Sequence, residues 1–145
     1  MSNKLLRLCY FSASRLTSTW DVTCLVEQCR LHNMLSGLTG ILLYEDNTFM
    51  QILEGEPEVV EAVFRKIQND PRHRYVTELH TVEADSRLFG EWPMAFMSRK
   101  EFSRVGISPN KEMLAALQTS YREAGNNELQ KVLSSFFLDI KQVVN

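Results

Sequence analysis

The chain has 145 residues, 44% of them hydrophobic, and its 16 basic and 18 acidic side chains give a formal net charge of −2. This length and composition fit a single globular domain with a hydrophobic core. Because the charge is nearly balanced and no long basic run occurs, we do not expect binding to nucleic acid. The apolar runs are much shorter than the roughly 20 residues that span a bilayer, so we expect a soluble, cytoplasmic protein without membrane contact.

The cysteines and histidines do not indicate a metal site. Cys9, Cys24 and Cys29 have no C-x-x-C spacing, and the three histidines form no i,i+4 pair. The sequence also lacks a glycine-rich phosphate loop and a nucleophile elbow. We therefore expect the cysteines to be buried as small hydrophobic groups, and we expect no bound metal ion.

The first part of the chain is predicted to contain a strand, a helix and a hairpin. Residues 4–11 alternate as a strand, and residues 21–34 carry apolar side chains at helical spacing. Residues 38–44 and 48–54 have the pattern of two further strands, and residues 45–47 between them fit a tight hairpin.

A second helix and a fourth strand follow. Pro57 is typical of a first helical position, and this helix should end before Asp70 because a residue that precedes proline resists the helical conformation. Residues 75–82 are predicted to form the fourth strand. The order is then β-α-β-β-α-β, the split unit of the ferredoxin-like α+β fold, with both helices on one face of the sheet. Residues 90–97 fit a short fifth strand at a sheet edge, with Pro93 at its entry.

The C-terminal part of the sequence has two apolar helical patterns. They cover residues 113–121 and 129–143 and are separated by a break at 125–127. An apolar helical hairpin of this kind must pack against an apolar surface. The face of the predicted sheet that the first two helices do not cover is such a surface. We therefore divide the chain into a domain at 1–98 and a helical hairpin at 99–145, which caps the sheet as part of the same globular unit.

Gln51 is the most informative polar residue of the predicted sheet. It lies between Phe49 and Leu53 on one face of a strand that is apolar on both faces, which indicates burial. A buried amide without partners costs about 1–3 kcal/mol, so a specific partner is expected. By itself the strand favours an ordinary core glutamine that is bonded to backbone or to another side chain. However, the predicted topology places the first and third strands side by side, so Tyr10 could also hydrogen-bond to Gln51.

Further polar residues extend the apolar faces of the two helices. Asn33 continues the apolar stripe of the first helix, and His32 falls almost in line with Leu25. On the second helix, Lys66 and Asp70 extend an apolar row. Considered separately, these are ordinary helix C-terminal residues and a solvated i,i+4 ion pair. Between two such helices, they also predict a slot with apolar walls and a few polar groups, the usual form of a cofactor site.

Several motifs of the chain, in order and spacing over residues 4–98, resemble the BLUF family of blue-light receptors that use FAD. The segments that carry this resemblance are Leu8-Cys9-Tyr10-Phe11-Ser12, His32-Asn33, Gly37-Leu38-Thr39-Gly40-Ile41-Leu42-Leu43-Tyr44, Phe49-Met50-Gln51-Ile52-Leu53-Glu54-Gly55, Asp70-Pro71-Arg72-His73 and Phe89-Gly90-Glu91-Trp92-Pro93-Met94. The C-terminal pattern is similar to that of short, single-domain members.

The resemblance implies that FAD, with FMN or riboflavin as possible substitutes, binds with its isoalloxazine ring between the two helices. Tyr10 and Gln51 would form the photoactive pair, and the implied contacts come from both apolar and polar side chains. The implied cofactor-binding residues are Tyr10, Leu25, His32, Asn33, Phe49, Gln51, Lys66, Ile67, Asp70, Arg72 and His73. Of these, Arg72 and His73 would approach the phosphate and adenine end. Lys66 stands where many relatives carry arginine, and Cys29 stands where many carry serine.

The implied function is light sensing without substrate turnover, so the chain is expected not to be an enzyme. Tyr10 would supply an electron and a proton, and Gln51 would rotate or tautomerise. Trp92 and Met94 would pass the change to a downstream signalling protein or to a homo-oligomer interface. Simple core packing of Trp92 and Met94 explains these two residues almost equally well. A flavin-free interaction module and a flavin-dependent oxidoreductase are the alternative functions.

Overall fold

A computed structural model of the chain describes residues 4–16, 18–45, 47–90, 92–97 and 111–124. They form a mixed five-stranded sheet and three helices. The elements are β1 (Leu5–Ser14), α1 (Thr19–Ser36), β2 (Thr39–Glu45), β3 (Thr48–Gly55), α2 (Pro57–Gln68), β4 (His73–Ala84), β5 (Ala95–Met97) and α3 (Lys111–Ala124).

The strand order in the sheet is β4-β1-β3-β2-β5. The neighbouring pairs are antiparallel except β2 and β5, which run parallel. The sheet therefore confirms the predicted ferredoxin-like α+β fold with a fifth strand at one edge. Seven of the eight residues of β3 are buried, because β1 and β2 flank this strand and other elements cover both of its faces.

Local sequence determines where α1 begins and ends and where α2 begins. The Ser18 side chain accepts a hydrogen bond from the backbone N–H of Asp21, 3.1 Å away, which caps the first turn of α1. The same helix ends at Gly37, whose φ of +72° is a left-handed conformation that suits glycine. Pro57 begins α2, as predicted, because a first helical residue needs no free N–H.

Helices α1 and α2 cover neighbouring parts of one sheet face. Side chains of α1 pack on β2, β3 and β5 in a buried cluster of Val22, Leu25, Val26, Leu42, Phe49, Met94 and Phe96. Side chains of α2 pack on β1 and β3 in a second cluster of Leu6, Leu8, Tyr10, Leu38, Leu53, Val60 and Phe64. The two clusters leave a slot between the helices, above the centre of the sheet.

Helix α3 lies on the opposite face of the sheet. Ala116, Leu117 and Ser120 are buried, and Glu123 forms an ion pair with Arg7 of β1. This position agrees with the predicted cap. The second predicted helix of the cap, at 129–143, falls outside the described residues, so the hairpin and the division at residue 98 stay predictions.

The fifth strand is shorter than predicted. It covers only Ala95–Met97, whereas the pattern indicated residues 90–97. Trp92 donates its backbone N–H to Phe89 O at 3.0 Å, which makes a turn, and Pro93 has no N–H for a ladder. Strand β1 continues to Ser14, three residues beyond its predicted end, because it pairs with β4 as far as His73.

No helix within the described residues is long and apolar enough to cross a membrane.

Candidate functional site

Tyr10 and Gln51 lie opposite each other on β1 and β3, at the centre of the face that α1 and α2 cover. Tyr10 is fully buried and Gln51 is 2% exposed. The Tyr10 hydroxyl donates a hydrogen bond to Gln51 Oε1. The sequence alone did not determine the partner of Gln51. The structure shows that this partner is Tyr10, which the pairing of β1 and β3 places next to it.

The other end of the Gln51 amide contacts Met94, just before β5. Gln51 Nε2 donates to Met94 Sδ at 3.6 Å, and Met94 is buried. A thioether is a weak acceptor, so this bond is weaker than the one from Tyr10. The Trp92 side chain is only partly buried, and its backbone carbonyl accepts from Gly40 N at 3.0 Å. In this structure Met94 is thus the partner of Gln51, and Trp92 belongs to the preceding turn.

Asn33 is a second buried amide that holds the same segment. Its Nδ2 donates to the Pro93 carbonyl at 2.8 Å. It therefore ties the C-terminal end of α1 to the residue next to Met94. Because Gln51 and Asn33 bond to adjacent residues, a change at either amide alters the support of the chain that enters β5.

A cavity of about 280 Å³ opens between α1 and α2. Seven of the predicted binding residues line it: His32, Asn33, Gln51, Lys66, Ile67, Asp70 and Arg72. Three further lining residues, Gln28, Cys29 and Val63, were not among the predicted binding residues. Helical spacing could have identified Gln28 and Val63, since each lies four residues before a predicted contact, His32 or Ile67. The cavity thus occupies the slot that the two helical rows predicted.

An ionic cluster forms the rim of this cavity. Arg72 Nη2 contacts Asp70 Oδ2 at 2.7 Å, and Arg72 Nη1 donates to Gln28 Oε1 at 2.7 Å. The hydrogen bond from Arg72 holds the pKa of Asp70 below its usual value, and the same pair raises the pKa of Arg72. Both groups therefore stay charged near pH 7. The bond from Arg72 to Gln28 joins the loop after α2 to α1.

His73 is the first residue of the edge strand β4, and its side chain is buried beside the rings of Tyr10 and Phe49. Its Nδ1 is 2.7 Å from Ser12 Oγ, and its ring packs on the rings of Tyr10 and Phe49 at centroid distances of 6.2 and 5.1 Å. Burial lowers the pKa of His73 to about 4, so the ring is neutral at pH 7. Four of the predicted binding residues are not part of the described cavity wall: Tyr10, Leu25, Phe49 and His73. Leu25, Phe49 and Tyr10 belong to the buried clusters below the cavity, and the His73 ring packs on Tyr10 and Phe49.

The inner side chains of the site are neutral. Burial raises the pKa of Tyr10 well above its ordinary value and raises the pKa of Cys29 to about 11. The tyrosine is therefore protonated and available as a donor, and the thiol is not a thiolate. Within the described residues, no group of three or more His, Cys, Asp or Glu side chains could hold a metal ion. The site is an uncharged, partly apolar slot with a charged rim.

A family model described as sensors of blue light using FAD, or BLUF, matches residues 5–95. The chain belongs to the BLUF family. The resemblance, the fold and the cofactor expected from the sequence are thereby confirmed: BLUF proteins are blue-light sensors that bind FAD, and the BLUF region is a sensor module and not an enzyme.

Similar proteins and structures support this assignment. The blue light- and temperature-regulated antirepressor BluF of Escherichia coli K12 is 42% identical over 75 residues, which cover 52% of this chain and 19% of that protein. Subunit alpha of a photoactivated adenylate cyclase of Euglena gracilis is 35% identical over 94 residues, or 63% of this chain and 9% of that protein. The dark-state structure of BlrB, a BLUF protein, has a TM-score of 0.67 and 29% identity, with 93% of this chain and 99% of that chain covered. The matched region spans less than one fifth of the length of these two curated relatives.

The BLUF cavity fits the ring system of FAD. Val63 and Ile67 supply apolar walls, while Asn33 and Gln51 place amide groups at the inner end. Its volume of about 280 Å³ is near the lower limit of ligand pockets, about 300 Å³, which suits a ring system better than a whole dinucleotide.

Proposed function

We propose that this chain senses blue light through a hydrogen-bond switch at Gln51 and passes the change through Met94 to a protein partner. The supporting observation is the continuous chain of bonds from Tyr10 to Gln51 and from Gln51 to Met94. It joins a buried phenol beside the cavity to the segment that enters β5. A flavin site that served only for binding would not need such a chain.

The residues around the cavity have distinct tasks in this proposal. Asn33 and Gln51 orient the ring through their amides, Val63 and Ile67 pack on it, and His32 and Lys66 contact it from the two helices. Asp70 and Arg72 hold the rim, where Arg72 meets the phosphate end. Leu25, Phe49 and His73 support the site from behind.

Bound FAD supplies the absorption of blue light and an electron acceptor. Tyr10 supplies the electron and the proton, since its raised pKa keeps the proton on the phenol before illumination. The hydroxyl points at Gln51 Oε1, so the amide oxygen is the first acceptor on the path of that proton. Tyr10 and Gln51 thus act together as the photoactive pair.

The two ends of the Gln51 amide are not equivalent, which allows a switch. Rotation exchanges Oε1 and Nε2, so an amide oxygen would then face Met94 Sδ. Both atoms are acceptors, and the contact is lost. Tautomerisation of the amide would also change its donors and acceptors. One or two rearranged hydrogen bonds change the free energy by about 1–3 kcal/mol, which could alter a partner's affinity by about 5- to 150-fold.

Absorption spectra of the purified protein with FAD test this function directly. Blue light should produce a reversible red shift of the flavin band, because a rearranged Gln51 would offer the bound flavin a stronger hydrogen bond. Steady consumption of reduced nicotinamide would support an oxidoreductase instead. A colourless protein that does not bind added FAD would support a flavin-free interaction module. Either result would contradict the proposal.

The output is proposed to be a protein contact. One of the similar proteins is an antirepressor and another is a subunit of a photoactivated adenylate cyclase. These activities belong to those proteins. For this chain, the candidate surfaces are β5, the helical cap and a homo-oligomer interface. The partner, the homo-oligomer and the cytoplasmic location are predictions from the sequence.

A further inference from the structure

A buried ion pair lies on the sheet face opposite to the Tyr10–Gln51 pair. Arg7 of β1 is 5% exposed and Glu54 of β3 is 1% exposed, and Arg7 Nε contacts Glu54 Oε2 at 2.8 Å. Charges at such depth carry a large desolvation cost unless each has several partners. The identity of those partners therefore shows which segments depend on this pair.

Glu54 accepts hydrogen bonds from the loop that precedes Met94. The backbone N–H groups of Leu88 and Phe89 donate to its two oxygens at 2.7 and 2.8 Å. Thr39 Oγ1 and Arg7 provide the other donors, at 3.0 and 2.8 Å. If the loop withdrew, the buried carboxylate would lose two of these four donors.

Arg7 is shared between that loop and α3. Its Nη2 donates to the Ser86 carbonyl at 2.8 Å, and its Nη1 contacts Glu123 Oε2 at 2.6 Å. One guanidinium therefore serves two carboxylates, Glu54 in the sheet and Glu123 on α3. A change in the hydrogen bonds between Arg7 and Glu54 would therefore also affect the ion pair between Arg7 and Glu123, which attaches α3.

The loop also connects this ion pair to the light-sensing site. Strands β4 and β5 lie at opposite edges of the sheet, so the chain between them, residues 85–94, must cross it. Residues 86–89 of this crossing are bonded to Arg7 and Glu54. Its other end, at 92–94, is bonded to Gly40, Asn33 and Gln51.

The described contact between α3 and the sheet also includes apolar and polar side chains. Ala116 and Leu117 are its buried apolar residues among the described side chains of α3. Ser120 and His80 are among the residues that line a cavity of about 10 Å³ between α3 and the sheet. Neither Ser120 Oγ nor His80 Nε2 has a hydrogen-bond partner among the described residues, and His80 Nε2 lies 3.9 Å from Glu123 Oε1. Of the described contacts of α3, the Arg7–Glu123 ion pair is the one that joins this helix to the buried charges of β1 and β3.

We propose that Glu123 is the residue through which the state of Gln51 controls the docking of α3 on the sheet. Loss of the Gln51–Met94 bond releases residues 92–94, and the movement extends to residues 86–89, so Glu54 loses the amide donors of Leu88 and Phe89. Glu54 draws Arg7 closer to replace them, so Arg7 releases Glu123 and the helix loosens. This proposal rests on the proposed light-sensing function and adds to it the output element and its attachment point.

Hydrogen–deuterium exchange of the full-length protein with FAD, in the dark and under blue light, tests this proposal. In the unmodified protein, amides of residues 111–124 should exchange faster in light. Glu123→Gln keeps the shape of the side chain but removes its charge, so these amides should exchange about tenfold faster already in the dark. The remaining difference between light and dark should be small. Glu112→Gln, an exposed site on the same helix, should behave like the unmodified protein.

The flavin spectrum, recorded on the same samples, separates the two proposals. A red shift in Glu123→Gln, together with fast exchange of α3 in the dark, supports the role of Glu123. A red shift together with an unchanged light-dependent exchange of α3 in Glu123→Gln overturns it and leaves the light-sensing function standing. The absence of a red shift in the unmodified protein overturns both.

Discussion

Gln51 has two hydrogen-bond partners of unequal strength, a phenol and a thioether. The phenol donates to the amide oxygen, and the thioether can only accept from the amide nitrogen. The orientation of the amide is therefore tied to the protonated state of Tyr10. In the proposed switch, the amide nitrogen of Gln51, a donor, is replaced by the amide oxygen, an acceptor, at the position that faces Met94.

Gln51→Leu should retain bound flavin but show no red-shifted state, because leucine offers neither a donor nor an acceptor. It should also unfold more easily by about 1–3 kcal/mol, since the buried Tyr10 hydroxyl loses its partner. Absorption spectra and urea unfolding measure these two effects. Gln28→Leu, at the rim of the cavity, should keep the red shift, and an unaltered photocycle in Gln51→Leu would remove Gln51 from the mechanism.

Tyr10→Phe should also bind flavin but fail to form the red-shifted state efficiently. Phenylalanine fills the same buried position but has no hydroxyl proton to give and no hydroxyl to orient Gln51 Oε1. Time-resolved absorption after a blue flash measures the yield of the lit state. Formation at the normal yield would exclude Tyr10 as the electron donor.

His73 should make the stability of the protein depend on pH. Its pKa is about 4 in the folded chain because it is buried, against about 6.5 when exposed, so the unfolded chain binds more protons between these values. Stability is therefore complete above about pH 6.5 and should fall by about 2–3 kcal/mol as the pH decreases to 4. Asp70 contributes in a lower range, since its pKa is below 3.8 in the folded chain.

Urea unfolding of the protein at several pH values between 4 and 7 measures this dependence. His73→Gln should reduce most of the slope in this range, whereas His32→Gln, at an exposed position, should preserve it. Equal slopes in the unmodified protein and in His73→Gln would show that another group is responsible.

At the scale of elements, α1 has the largest role in positioning the site. Gln28, Cys29, His32 and Asn33 lie on this one helix, and all of them line the cavity. Its first turn is capped by Ser18 and its last turn ends at Gly37. The start and end of α1 therefore determine where four cavity side chains lie relative to β3.

Ser18→Ala should destabilise the protein by about 1 kcal/mol, because the backbone N–H of Asp21 loses its acceptor at the start of α1. Urea unfolding at pH 7 measures the change. Ser18→Asp preserves a capping oxygen and should remain close to the unmodified protein. A full loss of stability in Ser18→Asp as well would show that the hydroxyl acts in some other way.

At the scale of the whole molecule, the light-sensing site and α3 lie on opposite faces of one sheet. Residues 85–94 cross from one edge strand to the other and are bonded to both faces. A change at the site can therefore reach α3 without a change of fold. The face that carries α3 is the proposed place of output.

If the output includes a homo-oligomer interface, blue light should change the assembly size of the purified protein. Size-exclusion chromatography in the dark and under continuous illumination measures this. Gln51→Leu should elute at one position under both conditions, because its switch is absent. Identical elution of the unmodified protein in light and dark, with the red shift present, would exclude self-assembly as the output.

Much of the fold and part of the site could be predicted from local sequence. Alternation in the strands, the apolar stripes of α1 and α2, and the positions of Gly37 and Pro57 depend on residues close in the chain. The predicted order of elements then placed Tyr10 beside Gln51, and the helical rows led to Asn33 and Asp70. The structure places these residues as expected because helical and strand periods are local properties, while their roles towards the cofactor stay predictions.

Other features depend on contacts between distant segments, and only the tertiary structure decided them. The sequence alone did not indicate that Arg7, a charge within a strand, is buried against Glu54 and Glu123. It also left open whether Met94 or Trp92 contacts Gln51, since both lie near the short fifth strand. The physical reason is that a buried charge or amide is stable only with partners that the fold brings to it. The sequence by itself therefore determined the elements, their order and the family, whereas the tertiary structure decided which hydrogen bonds connect Tyr10, Gln51 and α3.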